Sequence, residues 1–179
     1  MNDLLALVAA RGDLAHIALF LWASAVSTML WYALRELAAS NRRFDLFLRE
    51  LARKGRRIAG RGQAIFAEAT KPEDLRRAFD ALCAQRAARF AELGRDNILQ
   101  GEPFREFYEK VALAPRDRVA RLFTLSVDDE IVATIFGLER MGRFCMIMST
   151  IGDARWKSAS PGNVAMDRLV SQLIGEGAG

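Results

Sequence analysis

At 179 residues the chain suits one domain of ordinary size plus an appendage, and 51% apolar with 9% aromatic content excludes a disordered polar chain. Its net charge of +4 is modest, and one histidine (His16) and two distant cysteines (Cys83, Cys145) exclude several chemistries. Ser-His-Asp and Cys-His centres in the globular part and multi-histidine metal sites are ruled out, no zinc site or disulfide framework follows from the cysteine spacing, and no metal is expected. Both cysteines read as small packing residues in a reducing compartment, Cys145 alternating with the core positions of its strand.

The chain opens on a nearly uncharged stretch. Residues 14–34, LAHIALFLWASAVSTMLWYAL, hold no Asp, Glu, Lys or Arg, and about 20 such residues in a helix cross a bilayer. Trp31 and Tyr32 lie near one end, where interfacial aromatics are favoured. Ala23, Ser24, Ala25, Ser27 and Thr28 form a small-residue stretch suited to packing against another helix. A cleaved signal peptide fits less well, because the start is acidic and the apolar run too long. A buried core helix would show a polar face.

Charge then concentrates. Residues 35–61 carry nine basic residues against Glu36, Asp45 and Glu50, a local +6, so the remainder is close to neutral. This asymmetry places the N-terminus outside and everything after Arg35 in the cytosol, on a single-pass inner-membrane protein. The segment continues as a helix, with Leu37, Phe44, Phe47, Leu48 and Leu51 as its apolar stripe. It reads as a solvated helix that also meets anionic lipid headgroups. No aromatic stacking platform accompanies the arginines, so nucleic acid is not expected as a partner. Three segments follow from this: 1–34 with the membrane helix, 35–61 as a basic juxtamembrane helix, and 62–179 as the globular domain.

In the globular part, residues 63–69 suit a short strand. Thr70 and Glu73 form a capping-box start to a helix with Leu75, Phe79, Leu82, Cys83, Ala87, Phe90 and Leu93 on one face, and Gly94 is its stop. A second helix spans 103–114, with Phe104, Phe107, Tyr108 and Val111 inward and Pro115 ending it. Residues 120–127, 131–139 and 143–151 are strands joined by turns at Asp128-Asp129 and Met141-Gly142, an antiparallel meander. A last helix covers 161–174, capped by Ser160, started by Pro161, with Val164, Leu169, Val170 and Leu173 apolar. Strand, two helices, three antiparallel strands and a helix make the class α+β, a three- to four-stranded mostly antiparallel sheet with helices.

The stretches ATKPEDLRRAFDALCAQRAARFAELG and RVARLFTLSVDDEIVATIFGLERMGRFCMIMSTIGDARWKSASPG, with the helix after them, resemble the GNAT acyltransferase superfamily, in its CelD-like, FemAB-like branch. The second stretch is the specific one. The resemblance covers roughly residues 62–175 and implies acetyl-CoA or another acyl-CoA as co-substrate. It implies that the loop and helix start after the fourth strand of that fold hold the CoA pyrophosphate, here around Ser160, Pro161, Gly162 and Asn163, with backbone amides and helix dipole supplying the field. This loop departs from the usual one by having fewer glycines, no leading Gln or Arg, and a proline at its start. Ser149 and Thr150 would lie beside the pantetheine arm. Arg155 and Lys157 read either as phosphate partners or as solvated loop charges. Glu139 and Asp153 are the candidate bases for attack of an amine on the thioester, and each also reads as a surface carboxylate.

The superfamily domain continues beyond this helix with a further strand that completes the acyl wedge, so the resemblance implies a C-terminally truncated domain. Three readings follow: a shortened chain, a partner chain that completes the sheet, or a domain kept only for binding. The expected function is a membrane-anchored, cytosol-facing N- or O-acyltransferase acting on an envelope or polysaccharide precursor. The alternative is a non-catalytic GNAT-like remnant or interaction module.

Overall fold

The computed structural model describes residues 14–114 and 119–177. The chain divides into two compact units, residues 1–49 and 50–179. Pro115, expected to end the second globular helix, lies outside the described residues, as does the acidic start that argued against a signal peptide.

The described residues of the first unit are helical. They belong to helix α1, Leu14–Ala59, which is long and apolar enough to cross a membrane. Its apolar side chains, Phe20, Trp22, Met29 and Trp31 among them, are exposed. The Thr28 hydroxyl donates to the Ser24 carbonyl at 2.8 Å, so this polar group is satisfied within the helix. Arg35 lies over the Trp31 ring, 5.5 Å from its centroid.

The second unit is α+β. Strands β1 (Ala64–Glu68), β2 (Ala120–Val127), β3 (Glu130–Arg140) and β4 (Arg143–Ile151) form one sheet in the order β1-β2-β3-β4, antiparallel throughout. Both meander turns fall where expected. Met141 and Gly142 have φ of 55° and 72°, as a two-residue primed hairpin turn requires. Asp128, at φ 52°, turns β2 into β3, and its carboxylate also accepts the Gln63 amide at 2.9 Å, tying the turn to the start of β1.

Helices cover both faces. On one face lie α2 (Pro72–Glu92) and α3 (Glu102–Leu113), where Leu75, Phe79, Leu82 and Leu99 pack on Leu122, Phe136 and Met148. On the other lies α4 (Pro161–Gly175), where Val164, Ala165 and Leu169 join Trp156, Phe123, Leu125 and Ile135. Ile58, fully buried, and Leu51 belong to that second cluster, so the core reaches back into the last turns of α1. The rings of Phe66 and Phe123 stack at 5.8 Å, and Phe144 meets Phe123 edge-on at 5.9 Å.

Several local expectations are corrected. The cap of α2 is Lys71, not Thr70, because Pro72 takes the first helical position and sets the start there. Gly94 does stop that helix: at φ 60° it lets its own amide reach Ala91 and that of Arg95 reach Phe90. In α3, Phe104 and Phe107 are exposed while Ala112 is buried, since the helix presents its Tyr108–Ala112 side to the core. Val170 of α4 is likewise exposed. Cys145 sits exposed on β4, not in the core. Cys83 is half-buried, and burial pushes its thiol pKa up, which keeps it protonated.

Candidate acyl-transfer site

Strand β4 is the edge of the sheet, with a neighbour on one side only among the described residues. Its pairing with β3 shifts between Phe136 and Gly137: Phe136 faces Met148 and Gly137 faces Met146, which leaves Ile147 as an extra residue. Such a bulge breaks the ladder and re-aims the strand, a device common beside active sites. Nothing in the sequence marks it, because a bulge is a property of pairing.

Beyond the bulge the strand's two sides differ. Ser149 is exposed. Thr150 is buried against α2, where its hydroxyl lies 2.6 Å from that of Thr134 and 2.7 Å from Gln85 Oε1. The Thr134 hydroxyl reaches the same Oε1 at 2.7 Å, and Gln85 Nε2 donates to the Ile131 carbonyl at 2.7 Å. Two hydroxyl hydrogens serve three oxygen contacts, so two of these bonds exist at a time. The network pins α2 to β3 and β4. Replacing Gln85 by leucine is expected to cost about 2 kcal/mol, since it strips partners from buried polar groups. The denaturation midpoint reads this, and an unchanged midpoint would show that Gln85 is not needed there.

After β4 the chain passes Gly152 and Asp153 into a 3-10 turn, Ala154–Ala159, and then into α4. Asp153 caps this turn, accepting the Arg155 amide at 2.8 Å. Trp156 is buried and donates its indole N–H to Glu130 at 3.0 Å. Arg61 stacks on that indole at 5.0 Å and donates to the Arg155 carbonyl at 2.9 Å, so this member of the basic block serves the fold.

Ser160 occupies the N-cap position of α4 but does not cap it with its side chain. Its backbone is left-handed at φ 50°, and its carbonyl instead receives the amides of Asn163 and Val164 at 3.1 and 3.3 Å. Pro161 has no amide. Capacity to hold an anion at this helix start therefore rests on Gly162 and the helix dipole. Gly162 also lets the helix close on β4: a Cβ there would lie 3.1 Å from Ile151 Cγ2.

Beside this junction is a cleft of about 390 Å³ lined by Gln85, Arg89 and Glu92 of α2 and by Asp153 and Lys157. Lys157 and Arg89 both pair with Glu92, at 2.8 and 3.0 Å. Those hydrogen bonds hold the Glu92 carboxyl below its ordinary pKa. Arg155 pairs with Glu130.

Ser149, Asp153, Ser160, Gly162 and Asn163 thus lie along one stretch from the end of β4 to the start of α4, whereas the Thr150 hydroxyl is taken up by Thr134 and Gln85. Glu139 is not among them. It pairs in register with Phe144 at the other end of β4, roughly 20 Å along the strand, and it binds Arg121 at 2.5 Å. Arg121 was not singled out by its position in the sequence, yet it joins Glu68 at 2.6 Å and Glu176 at 2.8 Å as well. Among the described residues no cluster could hold a metal ion.

Compared with protein families, residues 45–179 match the model described as an acetyltransferase (GNAT) domain. No curated protein matches the chain.

Proposed function

We infer that this chain, which belongs to the acetyltransferase (GNAT) domain family, is a membrane-anchored acyltransferase that uses acetyl-CoA or another acyl-CoA. Family membership supports acyl transfer in general. The observation that carries the finer reading is the junction of β4 and α4, where a bulged edge strand runs into the positive end of a 15-residue helix closed down on Gly162. That arrangement suits a thioester lying along β4 with its phosphates toward the helix start. In the reaction an amine or hydroxyl attacks the thioester carbonyl, the C–S bond breaks, the CoA thiolate leaves, and a base takes the nucleophile's proton. Of the two candidate bases, Asp153 lies at the junction, whereas Glu139 is held by Arg121 at the far end.

The membrane anchor is α1, with residues 14–34 in the bilayer and the first arginines after it at anionic headgroups. The basic flank favours a cytosolic globular unit and an external N-terminus. A glycan or envelope precursor that itself resides at the membrane suits such a tethered enzyme as acceptor. A partner chain pairing with the free side of β4 would complete the wedge for the acyl group.

A second reading, a membrane-anchored module without catalysis, is favoured by the engagement of Arg155 and Lys157 with Glu130 and Glu92. Acetyl-CoA titration of the detergent-solubilised full chain separates the two. We expect saturable binding, retained within about threefold in Gly162→Ala and weakened more than about 30-fold in Gly162→Glu, whose carboxylate meets the phosphate. The alanine variant carries the steric contact with Ile151 alone. Absence of binding by folded wild type would leave the module reading.

A further inference from the structure

Helix α1 carries an apolar repeat of seven residues: Leu30, Leu37, Phe44, Leu51 and Ile58. The two ends of this seam have different fates. Ile58 is buried and Leu51 packs in the core of unit 50–179. Leu30, Leu37 and Phe44 are each close to 60% exposed, although the seam is the same. The second position of the seam, three residues on, is Ala33, Ser40 and Phe47, small or apolar up to the point where Lys54 ends it. A seven-residue repeat of this kind suits a helix wound on a helix, since 3.6 residues per turn would drift off the seam.

We propose that residues 30–48 of α1 pair with the same stretch of a second copy of this chain, as a parallel two-stranded coiled coil. The charge pattern fits a copy of itself. Arg35, Arg42, Arg49 and Arg56 repeat with the same seven-residue period. They fall on the outermost position, opposite the seam, so two strongly basic segments can approach without their arginines meeting. Positions flanking the seam on one side are Leu34, Asn41 and Leu48, all uncharged. On the other side are Glu36 and Arg43, which pair within one helix at 3.1 Å. In a parallel pair these two sides face each other, so no like charges are juxtaposed. Toward the N-terminus the seam continues through Ala23, small enough for close approach in a bilayer. Toward the C-terminus it stops where Leu51 is already covered by the chain's own core.

A lipid surface fits the same stripe less well. A helix lying on anionic lipid sets its basic residues beside the apolar face, where they reach the headgroups. Here Arg35, Arg42 and Arg49 lie on the opposite face, and Arg43, which does flank the stripe, is paired with Glu36. Parallel orientation rests on the reading of α1 as a membrane helix, since two copies inserted alike run the same way.

The test is cysteine cross-linking of the full chain in native membranes, in a Cys83→Ala, Cys145→Ala background. Leu37→Cys and Phe44→Cys are expected to give disulfide-linked dimers about tenfold more than Arg42→Cys and Arg49→Cys, by their places in the repeat. Equal bands at all four positions, meaning random collision, would overturn the proposal. So would absent bands with Leu37→Cys and Phe44→Cys shielded from a water-soluble maleimide, the result for a lipid-covered stripe. Recovery of the chain in the membrane fraction is scored separately. Failure of the anchor reading and failure of the pairing are therefore distinct results. Phe44→Asp in detergent gives a second readout, with a shift from dimer to monomer mass expected and an unchanged mass against the proposal.

Discussion

Replacing Arg121 by leucine is expected to destabilise unit 50–179 by about 2–3 kcal/mol, seen as a drop in Tm of roughly 8 °C. This guanidinium is 11% exposed and is shared by Glu68 of β1, Glu139 of β3 and Glu176 at the end of α4. It also lies over the Phe123 ring at 4.9 Å. Glu68 is its strongest partner and raises its pKa further above the ordinary arginine value. Removing it leaves three carboxylates facing one another without a cation. The upper end of the usual cost for breaking a buried pair is discounted, because Glu176 is 39% exposed and water screens it.

The acid limb gives the sign. The hydrogen bond from Arg121, and then that from Gln172, hold the Glu176 carboxyl below its ordinary pKa. A carboxylate lowered in the folded state contributes stability above its unfolded value, near 4.3, and loses it as pH falls through the lower folded value. Wild type therefore loses this contribution in acid. In Arg121→Leu, protonation instead relieves repulsion, so the gap between the two proteins should narrow from pH 7 to pH 4. A gap of the same size at both pH values would show that packing of the arginine stem, not its charge, is what matters.

Gly137→Ala is expected to cost about 3 kcal/mol, an unusually large penalty for one methyl group. The reason is space. A Cβ at Gly137 would come within 2.1 Å of Phe144 Cζ and 2.8 Å of the Cys145 carbonyl oxygen. Phe144 lies across this glycine and continues edge-on to Phe123, so the ring bridges the edge strand to the core. Gly137 also faces the strand where Ile147 is extra. The ring cannot retreat without losing its contact with Phe123, and the carbonyl cannot retreat without disturbing the bulge. Urea unfolding of Gly137→Ala, Phe144→Ala and the double variant checks the argument. The alanine should cost at least about 1 kcal/mol less once the ring is gone, with the carbonyl contact as the remainder. Strict additivity of the two changes would refute contact between these positions as the cause.

Much of the fold was legible because it rests on local periodicity. The apolar, β-prone runs over 120–127, 131–139 and 143–151, the paired positive-φ turn at Met141-Gly142 and the glycine stop at Gly94 all act within a few residues. Their geometry needs nothing from the rest of the chain. The errors have three separate causes. Apolarity alone points Phe104 and Phe107 inward, yet which side of a helix meets the core depends on what it packs against. Cys145 was assigned inward by alternation, which the bulge at Ile147 interrupts on the same strand. The start of α2 moved because Pro72 dominates over a capping pair.

The candidate site divides the same way. Order along the chain puts Ser149, Asp153, Gly162 and Asn163 within one strand, one turn and one helix start. It was not enough to separate Glu139 from them, since that distance is set by the direction of β3 beside β4. Gln85 and Arg121 carried no signal at all. Each gains its role from partners 46 to 65 and 18 to 55 residues away.

By itself, then, the sequence determined the class of fold, a long apolar helix with a basic flank, and the likeness to an acyltransferase domain, all of which follow from patterns of short range. Tertiary structure alone decided that Ile58 and Arg61 belong to the domain, that Thr150 is a buried strut and Ser149 an exposed one, and that Arg121 gathers three carboxylates. Burial and charge pairing are properties of distance in space. A strand's neighbour or a helix's packing face sets that distance, and position along the chain does not.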